Sequence, residues 1–301
     1  MDGLWAALRG LTSHHPIWER DRSYLGLPAR PLVIGHRGWG GRYPENTLLS
    51  LTEAARVGVD AIEIDVMPTL DGELVLSHEE FLDHQTNGRG RVRDHSLREL
   101  RQLDAGYRFT SDGGRTFLYR GAGLKMVSLE EAITTLPDSV LYLDLKSDEP
   151  RFIRAVLRVI REFRCERRVL LCSFYPRAIA QVRRLRPDLA TAADPSEIQR
   201  LFALSKLGID SLLGRRTSCA LHVPERRHGL QVLNDKLLRT AKSVGLGVIA
   251  WTINDPADIE RLLDFGVDGM MSDHPDRVLD VFSQRGLTTP AATPTPGGGQ
   301  R

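Results

Sequence analysis

Four short apolar segments of this chain end in ionisable residues, and this pattern limits the folds that can accommodate them. The segments are residues 33–38, 62–66, 74–78 and 141–146, which together carry two histidines, three acids, an arginine and a lysine. A buried strand tolerates such side chains only where they find partners. In a parallel barrel the carboxyl ends of the strands meet on one face. The pattern therefore predicts a single polar site at the mouth of an α/β barrel.

Length and composition narrow the class of protein. A TIM (β/α)8 barrel typically takes about 250 residues, so the 301 residues are enough for one. The formal net charge is only +2, which gives no reason to expect a nucleic-acid partner. The three cysteines form no CxxC pair, as is typical of reduced thiols. No apolar run approaches the roughly 18 residues of a membrane span. We therefore expect a cytoplasmic protein without an integral membrane segment.

Three regions follow one another along the chain. Residues 1–30 are an N-terminal lead-in, in which Trp5 and Leu8 have helical spacing. This predicts a short helix packed on the barrel, with an interfacial membrane anchor as the alternative. Residues 31–286 carry the barrel. Residues 287–301 are rich in proline, threonine and glycine, which predicts a disordered tail.

Strand and helix patterns alternate through the barrel region, with two irregular stretches. Residues 74–78 read as the third strand. Residues 79–126 follow it, are rich in Gly, Arg, Asp and His, and predict a small inserted cap over the barrel mouth. A later stretch holds three strand candidates, residues 189–193, 209–213 and 219–223. An eight-strand count needs only one of them.

Acidic residues on two strands predict a metal site. Glu63 and Asp65 lie two residues apart, so both side chains face the barrel interior. Two carboxylates at this distance repel each other unless a cation lies between them. Asp144 has the same placement on another strand and could complete a three-carboxylate site for Ca²⁺ or Mg²⁺. The alternative is neutralisation of the acids by Arg37. Zinc is disfavoured because no HxH or HExxH spacing occurs.

The remaining ionisable residues suit phosphate chemistry. His36 and His78 each close a predicted strand beside acids, which favours general acid–base roles over purely structural ones. Arg37 fits bidentate contact with a phosphoryl group. Lys146 can pair with the carboxylate on its own strand face, offer its charge to phosphate, or do both. Trp251 is a candidate wall against the carbon atoms of a substrate, with barrel core as the alternative.

Taken in order, these residues resemble the glycerophosphodiester phosphodiesterase family. Each matching motif is short, but the motifs occur in the family's order and together span about residues 32–281. The resemblance is carried by His36-Arg37-Gly38, Pro44-Glu45-Asn46-Thr47, Glu63-x-Asp65, His78, Asp144-x-Lys146, Trp251-Thr252-Ile253-Asn254 and Ser272-Asp273.

The resemblance implies a TIM barrel with a small inserted cap. It implies hydrolysis of glycerophosphodiesters to sn-glycerol 3-phosphate and an alcohol, within glycerol and lipid metabolism. It also implies residue roles: Glu63, Asp65 and Asp144 hold Ca²⁺ or Mg²⁺, His36 and His78 are acid and base, and Arg37 and Lys146 contact the phosphate.

Three positions depart from the family pattern. Asp144 stands where the family often has the longer Glu, which could change the preferred ion or admit a water. Glu79 follows His78 where the family usually has Asp, and this should alter the support of the imidazole more than the chemistry. His274 stands where the family often has Arg.

Several alternatives stay open at this point. A lysophospholipase D activity on the same barrel would need an apolar lip around the mouth. The insertion has few apolar residues, which favours a water-soluble diester. A non-catalytic barrel that binds a phosphorylated ligand is the second alternative. Peripheral lipid contact through a basic stripe at Arg154, Arg158 and Arg161 is a third feature left open. The attacking group, the acid and base assignments, the leaving alcohol and the oligomeric state are not determined.

Overall fold

The computed structural model describes residues 17–207 and 218–287. Predictions for residues 1–16, 209–213 and 288–301 lie outside these ranges. The strands are β1 Leu32–His36, β2 Ala61–Pro68, β3 Leu74–Leu76, β4 Val140–Leu145, β5 Val169–Cys172, β6 Ala190–Thr191, β7 Ala220–Pro224, β8 Arg226–Arg227, β9 Leu230–Gln231, β10 Gly247–Trp251 and β11 Gly269–Ser272.

The helices alternate with the strands, as a (β/α) fold requires. They are α1 Ile17–Tyr24, α2 Leu48–Val57, α3 Leu97–Leu100, α4 Leu129–Thr135, α5 Pro150–Glu162, α6 Pro176–Leu185, α7 Pro195–Leu207, α8 Asp235–Ser243, α9 Pro256–Phe265 and α10 Pro275–Gln284.

Eight parallel strands form a nearly closed barrel, which confirms the predicted TIM (β/α)8 fold. Their order is β6-β5-β4-β2-β1-β11-β10-β7. A parallel bridge between Ala192 and Ala220 joins the two ends of this series. The amide of Cys219 donates to the carbonyl of Thr191 at 2.9 Å beside that bridge. The sheet therefore has almost no free edge.

The third strand is not part of the barrel wall, and that prediction was wrong. β3 pairs antiparallel with the end of β2, through a tight turn in which Gly72 has a φ of 80°. A short turn can join only antiparallel strands, because a parallel connection needs a crossover of about a dozen residues. The eighth barrel strand comes instead from the later stretch, where both β6 and β7 enter the barrel rather than one candidate alone.

Strand alternation divides the apolar residues between two layers. Ile62, Ile64 and Val66 face outward and pack under the helices, as predicted from their spacing. Interior residues such as Ile34 and Tyr142 fill the barrel, and the cluster extends to Leu25 and Leu27 just after α1. Packing of the interior leaves the carboxyl ends of the strands as the place where polar groups gather.

The inserted segment forms a small cap with its own apolar cluster. It contains two 3₁₀ turns, Leu82–His84 and Val92–Asp94, and the short helix α3. Ser96 caps α3 in a reciprocal capping box with Glu99. Buried side chains of the cap pack with Met67 and Val75 of the β2–β3 hairpin, which anchors the insertion to the barrel. None of the helices in the described ranges is both long and apolar enough to cross a lipid bilayer.

Candidate active site

The strand register brings the polar residues to one place. His36 lies beside Glu63 in the β1–β2 pairing, and Asp65 lies beside Asp144 in the β2–β4 pairing. A cavity of about 320 Å³ opens there. All eight site residues predicted from the sequence line it: His36, Arg37, Glu63, Asp65, His78, Asp144, Lys146 and Trp251.

Three buried carboxylates form the floor of this cavity. Glu63, Asp65 and Asp144 are each less than a tenth exposed, and one potential ligand oxygen of each lies within 4.8 Å of the others. Burial, followed by the charge of Asp65, raises the pKa of Glu63 to about 8. Burial also raises the pKa of Asp144. Its Oδ1 is inaccessible and has no hydrogen-bond partner among the described residues. These groups could hold a hard divalent cation, which would satisfy the free oxygen and relieve the repulsion.

Lys146 neutralises part of this acidic cluster. Its Nζ lies 2.8 Å from Asp65 Oδ1 and 2.6 Å from Asp144 Oδ2. Burial alone would lower the pKa of Lys146, but the charges of these two carboxylates outweigh burial and raise it. The Asp144–Lys146 ion pair considered from the sequence is therefore present. Glu63 accepts a hydrogen bond from the backbone amide of Arg37 instead, and burial is the main cause of its raised pKa.

His36 is held by a carboxylate that directly follows the last barrel strand, β11. Its Nδ1 lies 2.6 Å from Asp273 Oδ1, and Asp273 Oδ2 accepts a hydrogen bond from Asn254 Nδ2 at 2.8 Å. Burial would lower the pKa of His36, but the bond to Asp273 and the charge of Glu63 outweigh it, so the pKa is raised. In the sequence, Asp273 and Asn254 are marked only as parts of motifs. Their contact with the His36 side of the site could not be predicted from residue chemistry, because both residues lie far along the chain from His36.

His78 reaches the cavity from the β2–β3 hairpin rather than from the end of a barrel strand. Its Nδ1 lies 2.9 Å from Glu79 Oε1, so the glutamate that departs from the family pattern does support the imidazole. His36 and His78 therefore each have a carboxylate at Nδ1, so Nε2 is the ring nitrogen that a ligand in the cavity could contact.

Arg37 and Asn46 organise the rim around the acids. The backbone amide of Arg37 donates to Glu63 Oε2 at 3.1 Å, and its guanidinium donates to Glu45 at 2.7 Å. Asn46 Nδ2 donates to Asp65 Oδ2 at 2.9 Å. Arg37 Nε is 3.4 Å from that same oxygen, so the predicted neutralisation by arginine is present for Asp65. Asn46 was missed by chemical reasoning, because nothing in its sequence spacing marks an amide as a partner of Asp65.

Aromatic rings form the apolar wall of the cavity. Trp251 and Phe174 meet edge to face with ring centroids 5.9 Å apart. Phe174 is 49% exposed. Trp251 is partly buried, and it both lines the cavity and packs against the cluster that fills the barrel. Lys146 Nζ lies 5.8 Å from the centroid of the Phe174 ring. A ligand in this cavity would therefore have charged groups on one side and aromatic carbon on the other.

A parallel barrel with clustered carboxylates, two supported histidines and two cations at its mouth defines a TIM-barrel enzyme suited to phosphate esters. Comparison with known families makes this specific. The model of the Glycerophosphoryl diester phosphodiesterase family matches residues 36–277, so the chain belongs to that enzyme family.

Individual relatives agree with this assignment. The chain is 30% identical over 270 residues to a glycerophosphodiester phosphodiesterase of Bacillus subtilis, covering 87% of this chain and 89% of that protein. It is 30% identical to the corresponding enzyme of Caldanaerobacter subterraneus, covering 85% and 100%. A phosphodiesterase of Oleispira antarctica, solved with its product sn-glycerol-3-phosphate, superposes with a TM-score of 0.69 at 29% identity. That match covers 87% of this chain and 99% of the other.

Proposed function

We propose that this protein hydrolyses glycerophosphodiesters to sn-glycerol 3-phosphate and an alcohol, with a divalent cation and two histidines. The observation that carries the proposal is the single cavity that unites three clustered carboxylates with His36 and His78. The product bound by the similar Oleispira antarctica phosphodiesterase supports the same substrate class.

Glu63, Asp65 and Asp144 would hold the cation, Ca²⁺ or Mg²⁺. The unpartnered Oδ1 of Asp144 and the raised pKa of Glu63 both indicate that this donor set is incomplete without one. When bound, such an ion neutralises charge on the phosphate and lowers the pKa of a bound hydroxyl or water.

The histidines move the protons of the reaction. One takes the proton of the attacking oxygen, which belongs either to water or to the glycerol hydroxyl of the substrate. Attack by the glycerol hydroxyl first gives a cyclic phosphodiester, which a water molecule then opens to sn-glycerol 3-phosphate. As the new P–O bond forms, the P–O bond to the alcohol breaks, and the other histidine protonates the departing oxygen. Asp273 and Glu79 orient the two rings from their Nδ1 sides.

Cationic and aromatic groups position the substrate. Arg37 and Lys146 would contact the phosphate oxygens, since both line the cavity beside the acids. Trp251 would lie against the glycerol carbons, which need an apolar surface. This arrangement fixes the phosphate between the cations and the proton-transfer groups.

Release of sn-glycerol 3-phosphate tests the proposal. Glycerophosphocholine and glycerophosphoethanolamine are assayed with EDTA, Mg²⁺ and Ca²⁺ on the wild type, on Glu63→Ala and on the control Glu162→Ala, whose side chain is exposed at the end of α5. We expect turnover that EDTA and Glu63→Ala abolish and Glu162→Ala preserves. A well-folded protein that turns over neither diester with either ion would refute the proposed activity and leave the lysophospholipase D and the non-catalytic phosphate-binding barrel.

We also propose that the protein works in the cytoplasm. All three cysteines, Cys165, Cys172 and Cys219, are free thiols, and Cys172 lines the active-site cavity. Such thiols survive in a reducing compartment. Fractionation of the producing cells checks this, and recovery of the protein outside the cytoplasmic fraction would contradict it.

A further inference from the structure

A polar cavity lies between the inserted cap and the rim of the barrel, and we call it the cap cavity. Its volume is about 370 Å³, within the range of roughly 300–1,000 Å³ typical of small-molecule sites. Arg37 lines both this cavity and the active-site cavity, so the two adjoin there. The aromatic wall of Phe174 and Trp251 does not line the cap cavity. A ligand that fills both cavities would therefore pass Arg37.

The lining of the cap cavity comes from the barrel rim and from the cap. The rim contributes Gly40, Pro44, Glu45 and Glu79, and the cap contributes His84, Gln85, Ala105, Arg108, Phe109 and Thr110. Gln85 Nε2 donates to the carbonyl of Glu45 at 2.8 Å, and the backbone amide of Arg108 donates to the carbonyl of Gln85 at 3.3 Å. These two bonds tie the segment that carries Arg108 to the rim.

Both acids of the cap cavity already have partners on the active-site side. Glu45 Oε2 accepts a hydrogen bond from the Arg37 guanidinium at 2.7 Å. Glu79 Oε1 lies 2.9 Å from His78 Nδ1. Their charges are therefore directed towards the groups of the active site, and the cavity itself does not present an uncompensated pair of acids to a ligand.

Arg108 is a cation of the cap cavity that lacks such a partner. Its guanidinium lies over the ring of Tyr107, 5.4 Å from the centroid, and it forms no hydrogen bond or ion pair with any residue in 17–207 or 218–287. Unpaired arginines are common on open surfaces, but this one lines a cavity that adjoins the active site. A guanidinium in this position can bind a carboxylate or a phosphate through two parallel hydrogen bonds.

We propose that the cap cavity binds the leaving alcohol of the substrate, and that Arg108 selects alcohols that carry an anionic group. The inference rests on the proposed function of the site. If the glycerol carbons lie against Trp251 and the phosphate contacts Arg37 and Lys146, the alcohol on the far side of the phosphate points away from the aromatic wall. The cap cavity adjoins Arg37 and so receives that alcohol.

The anionic group is a carboxylate or a second phosphate on the alcohol. Glycerophosphoserine and glycerophosphoethanolamine differ by one carboxylate alone, so this pair isolates the contribution of that group. An inositol that carries a phosphate differs from plain inositol in the same manner. Choline and ethanolamine bring only a positive charge, which gains nothing from Arg108. The bonds that form and break are those of the proposed function, so no further reactant is needed.

Two matched pairs of substrates test the inference. Release of sn-glycerol 3-phosphate is measured with glycerophosphoserine against glycerophosphoethanolamine, and with glycerophosphoinositol 4-phosphate against glycerophosphoinositol. An exposed ion pair contributes about fivefold at most, and a bidentate contact in a cavity contributes more. We expect kcat/KM to be about threefold to tenfold higher for the anionic member of at least one pair. The pair that shows the gain identifies the anion as a carboxylate or a phosphate.

Two exposed arginines of the cap provide the variant and its control. Arg108→Gln removes the charge from the cap cavity and keeps a polar side chain. Arg89→Gln makes the same change at a residue that lines neither cavity. We expect Arg108→Gln to abolish the preference for the anionic substrate and Arg89→Gln to leave it unchanged. Arg108→Lys should retain part of the preference, because an ammonium keeps the charge but lacks the fork of donors.

Each other outcome has a defined meaning. Turnover of these diesters with no gain in either pair would overturn the inference and leave the proposed function standing. A gain that Arg108→Gln does not reduce would also overturn it, because the anion then binds elsewhere. An equal reduction by Arg89→Gln would do the same, since the effect would then come from the net charge of the cap. Failure of the well-folded protein to hydrolyse any of the four diesters would overturn the proposed function, and the inference with it.

Discussion

His222 should make the native protein less stable at pH 5 than at pH 7. Its ring stacks on that of Tyr142, with centroids 5.4 Å apart and planes 10° apart. Its Nε2 is inaccessible and finds no hydrogen-bond partner in the part of the chain that the structure describes. A positive charge on this ring would be poorly solvated, and burial lowers the pKa of His222 to about 4.

The size of the effect follows from proton linkage. The ordinary pKa of histidine is about 6.5, so between pH 6.5 and pH 4 the unfolded chain binds a proton that the native chain does not. Above pH 6.5 the ring is neutral in both states and the native state loses nothing. As the pH falls from 6.5 towards 4, protonation of the unfolded chain lowers the free energy of unfolding. One pKa unit is worth about 1.4 kcal/mol, so lowering the pH from 7 to 5 removes up to about 2 kcal/mol. The upper end is reached only if water in the adjoining cavity does not solvate the charged ring.

Urea unfolding of the wild type and of His222→Phe at both pH values measures this. Phenylalanine keeps a ring against Tyr142, cannot titrate, and removes a nitrogen that has no partner. We expect the wild type to lose up to about 2 kcal/mol more than the variant between pH 7 and pH 5. His84→Gln, which removes an exposed histidine, should lose as much as the wild type. Equal losses in the wild type and in His222→Phe would refute the reasoning.

Three further predictions concern catalysis and stability. His36→Gln should lower kcat by roughly 10²- to 10⁴-fold, because it removes an acid–base group; steady-state kinetics at saturating substrate checks this. Asp273→Asn should lower kcat by about 10- to 100-fold. It should also move the His36 limb of the pH–rate profile to lower pH, since Asp273 helps to raise the pKa of that ring; a limb that stays in place contradicts the pairing. Asp60→Ala should lower the free energy of unfolding by about 3 kcal/mol with kcat unchanged, because Arg30 makes two hydrogen bonds to that carboxylate and would lose both. Urea denaturation measures this loss, and a change below the error of the fit would show that the pair contributes little.

Local sequence determined which side chains could face the site. Neighbouring residues of a strand point to opposite faces, so the alternation in β2 placed Glu63 and Asp65 inside the barrel and Ile62 and Ile64 under the helices. The same rule placed Asp144 without knowledge of any partner. Repetition of strand and helix was enough to predict a parallel barrel, because short turns cannot connect parallel strands.

Local sequence patterns could not predict which strands belong to the barrel wall, because that depends on the strand with which each one pairs. β3 has an apolar strand pattern, but its hairpin to β2 removes it from the barrel wall. β6 has only two residues, and it is a barrel strand because β5 pairs with it and β7 bridges to it. Strand length and composition could not have separated these two cases.

The sequence by itself determined the chemical groups of the site and, for the acids of β2 and β4, the strand face that each one occupies, since both depend on spacing within a few residues. Only the tertiary structure decided which groups meet. His36 and Asp273 are 237 residues apart and come together because β1 pairs with β11. The active-site cavity likewise joins Phe174, Ile198 and Trp251 from three separate segments. Such contacts depend on strand register and on the closure of the barrel, which are properties of the whole chain.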